Sequence, residues 1–96
     1  IAEQKKALKM QPNFTPARRR LATALAAMGE NQQAEVEFKN ALKASPRDVT
    51  AHVEYAQFLE KQGQSAPALL EYKKAVEIKP DSKIAQEGVS KLTKIK

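Results

Sequence analysis

Apolar residues along this chain recur at helical spacing, and the helical stripes themselves recur. Leu21, Ala22, Leu25 and Met28 fall at i, i+1, i+4 and i+7, one face of a helix. Gly29 is placed to end that helix, because glycine takes the left-handed conformation past a C-terminus without steric cost. Ala34, Phe38, Ala41 and Leu42 form the facing stripe of a second helix. It must stop before Pro46, since the residue preceding a proline is pushed out of the helical region. Tyr55, Ala56 and Leu59 up to Gly63, then Ala68, Tyr72, Ala75 and Val76 up to Pro80, repeat the arrangement. Ile84, Ala85, Val89 and Leu92 predict the inward stripe of one more helix, with Lys83, Glu87, Lys91 and Lys94 facing outward. Gly88 costs that helix about 1 kcal/mol relative to alanine, which makes it the expected weak point of the array.

The period is 34 residues, the separation of Pro12, Pro46 and Pro80. Sliding residues 15–48 onto 49–82 without a gap gives nine identities, among them Ala22/Ala56, Leu25/Leu59, Gly29/Gly63, Ala34/Ala68 and Ala41/Ala75. Conservative pairs Leu21/Tyr55, Phe38/Tyr72 and Leu42/Val76 fill the other apolar columns. The alanines allow two helix backbones to approach closely while larger side chains fill the gaps. Thr15, Asn31, Asp48, Ser65 and Ser82 (or Asp81) are candidate N-caps, able to accept from orphan backbone N–H groups. Pro16 and Pro67 sit in first turns, where a missing donor does no harm.

The pattern Leu-Ala-x-x-Leu, Gly, Ala-x-x-x-Phe/Tyr-x-x-Ala and Pro at this period resembles the tetratricopeptide repeat. The resemblance covers the whole chain as a single domain. Residues 15–48 and 49–82 match full copies, and 1–14 the second helix of a truncated one. Residues 83–96 resemble a capping helix or the first helix of a further copy. It implies an all-α solenoid of about six helices, paired antiparallel in a right-handed superhelix whose first helices line a concave groove. Arg18, His52 and Gln86 occupy a column where the family often has tryptophan; Tyr55 and Phe58 are expected to supply some of that bulk. Groove positions not used for packing are Arg19, Thr23, Val53, Glu54, Gln57, Glu87 and Lys91. The family's chaperone-tail clamp would fall on Arg19, Thr23, Glu54, Ile84 and Gly88. Only Arg19 has the required charge there, and Glu54 would repel a carboxylate, so that ligand mode is not expected.

Composition narrows the alternatives. The chain has 96 residues, no cysteine and one histidine, so thiolate sites are excluded and one histidine cannot assemble a metal centre. No metal or cofactor is implied. No serine has a histidine and an acid at credible spacing, and no glycine-rich phosphate loop is present, so an enzyme is not expected. No apolar run approaches the roughly 20 residues a membrane span needs, and the composition suits the cytoplasm and a bacterial periplasm equally. The formal charge is +6, concentrated at the two ends. Residues 1–20 carry six basic and one acidic side chain, and 83–96 carry four and one. Residues 21–82 carry seven basic and nine acidic. Arg18, Arg19 and Arg20 fan over about 200 degrees of helix and make no single patch. The expected function is therefore a protein–protein interaction module, a scaffold or adaptor segment of a larger protein that holds a peptide in its groove. The rivals are self-association, through the apolar Ala7, Leu8 and Met10 of an N-terminal helix, and RNA binding. Glu54, Glu60 and Glu87 on the first helices disfavour RNA, which calls for a basic surface.

Overall fold

A computed structural model describes residues 15–94, and the N-terminal helix expected over 1–14 lies outside them. The described residues form five helices and no strand. They are α1 (Thr15–Ala27), α2 (Asn31–Ala44), α3 (Val49–Lys61), α4 (Ser65–Ile78) and α5 (Lys83–Thr93). The chain divides after Pro46 into two compact units, α1–α2 and α3–α5.

In the first unit α1 and α2 pack along their length. Ala17, Leu21, Ala22 and Leu25 of α1 are buried, as are Ala34, Phe38 and Ala41 of α2. Ala22, Ala34 and Ala41 have no exposed surface, as expected where backbones meet closely. In the second unit α4 packs against both α3 and α5. Ala51, Ala56, Ala68 and Ala75 repeat the small-residue seam, Leu59 is almost fully buried, and Tyr55 and Phe58 are buried with their rings stacked 6.3 Å apart. α5 contributes Ala85, Gly88 and Leu92.

Two kinds of turn alternate, and each has a local cause. Within each helix pair the turn closes on glycine: Gly29 has φ +83 and Gly63 φ +76. The Glu30 N–H donates to Leu25 O at 2.9 Å and the Gly29 N–H to Ala26 O at 3.1 Å. The same pair of bonds recurs from Gln64 to Leu59 and from Gly63 to Glu60. This is the Schellman arrangement, which satisfies carbonyls left over at the helix end. Glu30 and Gln64 then serve as N-caps of α2 and α4, at ψ 67 and ψ 76, with no side-chain capping bond. Asn31 and Ser65, expected as caps, are instead the first helical residues, because the glycine turn is one residue tighter than the sequence suggests. After α2 and α4, Ser45 (ψ 78) and Lys79 (ψ 88) leave the helical region before Pro46 and Pro80. There the backbone opens, and Asp48 at ψ 101 and Ser82 at ψ 110 accept from Ala51 N and Ala85 N.

Two apolar residues depart from the expected stripes. Met28 is 65% exposed because α1 ends at Ala27, so the i+7 position falls in the turn. Ile84 is 56% exposed. α5 meets α4 through Ala85, Gly88 and Leu92, and Ile84 is turned about 100 degrees off that line.

A polar depression at the end of the second unit

Each helix pair is bridged by a charged contact at equivalent positions one period apart. Arg18 Nη1 donates to Glu37 Oε1 at 3.2 Å between α1 and α2. The His52 Nδ1–H donates to Glu71 Oε1 at 2.7 Å between α3 and α4. His52 and Glu71 are both buried, and Lys74 lies 3.5 Å from the second Glu71 oxygen. Burial acts to raise the Glu71 carboxyl, but the His52 hydrogen bond and the Lys74 and His52 charges carry it below its ordinary value of 4.5. These bridges hold helix to helix and use up their charges internally.

A different set of side chains combines exposed Gln57, Lys61 and Lys91 with half-buried Glu60 and buried Tyr72. Gln57, Glu60 and Lys61 of α3, Tyr72 of α4 and Lys91 of α5 line a shallow depression of about 500 Å³. Three helices supply it, so its geometry depends on how α5 seats against α4. Gly88 sets that seat: a Cβ there would come within 2.5 Å of Cγ, Cδ1 and Cε1 of the Tyr72 ring. At the centre, the Tyr72 hydroxyl donates to Glu60 Oε1, and Lys91 Nζ lies 2.7 Å from Glu60 Oε2. Burial pushes Glu60 up, but the hydrogen bonds from Lys91 and Tyr72 and the Lys91 charge outweigh it, leaving the carboxyl below 4.5. Tyr72 is driven well above its ordinary value of 10.0, first by burial and then by its bond to the Glu60 carboxylate. Near neutral pH the depression thus holds an anionic Glu60 clasped between a neutral phenol and a lysine.

A model of the tetratricopeptide repeat matches residues 19–83. The chain belongs to the tetratricopeptide repeat family. The Arabidopsis OM64 TPR domain is similar in structure, with a TM-score of 0.85 at 20% identity over 97% of this chain and 77% of that one. At that identity the likeness is one of fold, and it agrees with an all-α helical-repeat solenoid. No curated protein sequence matches. Tetratricopeptide repeats generally serve as protein–protein interaction modules and are typically non-enzymatic scaffolds. Among the described residues no helix is long and apolar enough to cross a membrane, and no cluster of three or more potential metal ligands occurs.

Of the groove positions expected for this tetratricopeptide repeat, Gln57 and Lys91 share the depression. Glu54 is half-buried on α3 and Glu87 exposed on α5. Val53 is only 8% exposed, so it offers almost no surface to a ligand. Arg19 and Thr23 belong to the first unit. Arg19 is half-buried, and exposed Thr23 returns its hydroxyl to Arg19 O at 3.0 Å. Sequence reasoning missed Lys61 and the clasp of Glu60 and Tyr72, having assigned Tyr72 to packing alone. The signal was present for the α3 pair, since Glu60 and Lys61 lie three and four residues after Gln57 and so share its side of the helix. Nothing in the sequence pairs Tyr72 with Glu60.

Proposed function

We propose that this chain is a peptide-binding segment of a scaffold or adaptor protein, with 15–48 and 49–82 as full repeats and 83–96 as a capping helix or the first helix of a further repeat. In the second unit the partner segment lies along exposed Gln57, Glu87 and Lys91, with half-buried Glu54 as a contributor. In the first unit, taken by itself, the candidate contacts are exposed Thr23 and half-buried Arg19. What carries the proposal is the open depression in which Gln57 and Lys91, from separate helices, meet a buried tyrosine and an ionised carboxylate. In a concave site a few convergent polar groups fix the orientation of a bound chain.

The test is selection of random peptides displayed on phage against the chain, followed by measured affinity of the enriched sequences. Enrichment over an unrelated helical protein is expected. Gln57→Ala should weaken the selected peptides about fivefold, the loss of one hydrogen bond, while Lys73→Glu on exposed α4 surface leaves them unchanged. Absence of enrichment, or equal loss from both substitutions, would overturn the proposal.

A further inference from the structure

We infer that the depression bounded by Gln57, Lys61, Tyr72 and Lys91 receives a single acidic side chain, aspartate or glutamate, from the partner peptide. The inference rests on the peptide-binding reading above and names the chemistry of its central contact.

Three observations lead to it. First, the outward-facing groups are donors. Gln57 and Lys61 are exposed, and the Lys91 side chain is 62% exposed although it touches Glu60. An ammonium has three N–H groups; one suffices for Glu60, which leaves the others for an incoming acceptor. Second, the one acid of the depression is occupied. The side chain of Glu60 is 19% exposed, with one oxygen bonded to the Tyr72 hydroxyl and the other to Lys91. A cation from a partner would have to displace Lys91, which is tethered beside Glu60 and competes at high effective concentration. An anion displaces nothing. Two lysines against one carboxylate leave the depression with a positive excess, and charge-assisted hydrogen bonds to it are the strong ones. Third, the surroundings limit how much acid is tolerated. Glu54 lies one turn before Gln57 on α3, and Glu87 one turn before Lys91 on α5. A run of acidic residues would meet them, so a lone acid flanked by neutral residues fits best.

This acceptor site differs from the chain-terminal clamp considered from sequence, whose positions include exposed Ile84 and Gly88, which is packed on Tyr72. No side chain at those two could bind a carboxylate.

The experiment compares short synthetic peptide libraries, otherwise random in neutral residues, whose fixed central residue is Glu, Gln or Lys. Retention on the immobilised chain is quantified for the parent, Lys61→Gln and Lys91→Gln. The Glu library should be retained about tenfold over the Gln library, the worth of one charge-assisted hydrogen bond, and the advantage should shrink with added salt. Both variants should lose it. Lys61→Gln is the decisive one, because Lys61 takes no part in the Glu60 clasp and helicity measured by circular dichroism should be untouched. Equal retention of the Glu and Gln libraries overturns the acid preference while leaving peptide binding intact. Preference for the Lys library overturns it in favour of Glu60 as the acceptor. Retention of none overturns both this inference and the reading beneath it.

Discussion

Helix propensity alone makes any glycine inside α5 a defect to be repaired by alanine, with a gain of about 1 kcal/mol. At Gly88 the added methyl would stand 2.5 Å from three atoms of a ring that is 3% exposed and tied by its hydroxyl to Glu60. Relieving such overpacking costs about 1–3 kcal/mol, so the clash outweighs the gain. Gly88→Ala is expected to lower stability in urea by about 1 kcal/mol, whereas Ser90→Ala on exposed α5 surface should be neutral or stabilising. A stabilised Gly88→Ala would mean that α5 does not sit against Tyr72. The buried His52–Glu71 bridge sets a second expectation at this scale. His52→Ala leaves a buried carboxylate short of its best donor and should cost about 3 kcal/mol. Arg18→Ala breaks the equivalent bridge where both side chains are about one-fifth exposed, and about 1 kcal/mol is expected. A double-mutant cycle with Glu71→Leu should recover much of the His52 loss, because replacing both partners of a buried pair by apolar groups is often nearly neutral. Additive losses would show that the two side chains do not depend on each other.

Caps and turns decide where each helix begins, and here the two turn types predict different sensitivities. Asp48 and Ser82 each satisfy a backbone N–H at the start of a helix, so Asp48→Ala should cost about 1 kcal/mol, while Gln64→Ala should cost almost nothing in a thermal melt. Gly63→Ala, forced to hold a positive φ, should cost about 1 kcal/mol although open space surrounds it. Equal effects at Asp48 and Gln64 would contradict the alternation. The positions of α1 to α5 were legible because glycine and proline punctuate the chain at fixed intervals and each has one dominant conformational consequence. The caps of α2 and α4 were not, since Asn31 and Ser65 have suitable side chains and only the backbone tightness after Gly29 and Gly63 disqualifies them. Ile84 was misplaced for a related reason: periodicity gives the width of an apolar stripe but not the line along which the neighbour lies. The candidate site was half legible. Exposed positions on α3 and α5 follow from helical phase, but the clasp of Glu60 by Tyr72 and Lys91 joins three helices, and no spacing rule in one strip of sequence encodes it.

For the whole molecule, the ionised groups that fasten α3, α4 and α5 together set the pH range of the second unit. Glu60 and Glu71 both have carboxyls below 4.5 in the folded chain. A depressed folded value means that the unfolded chain binds protons first on acidification. Their contribution is therefore complete above about pH 4.5 and lost as pH falls through the folded values. Tyr72 works in the opposite sense. Its folded value is raised above 10.0, so its contribution is complete below pH 10 and is lost as pH rises beyond it. The second unit is thus expected to keep a stability plateau between these limits and to weaken on both sides. The urea midpoint, followed by amide signals of α3–α5, should fall on acidification below pH 4.5 and again above pH 10. Glu71→Gln should flatten the acid limb, and Tyr72→Phe should flatten the alkaline limb and, by removing a donor to Glu60, part of the acid limb as well. An acid limb unchanged by both Glu71→Gln and Glu60→Gln would remove these carboxylates as its cause. The plateau also covers the range in which Glu60 holds Lys91 in place. On its acid side any acid-preferring peptide contact at the depression should fade, because the peptide's own carboxylate, with an ordinary value of about 4.3, takes up a proton and loses the charge that the lysines attract.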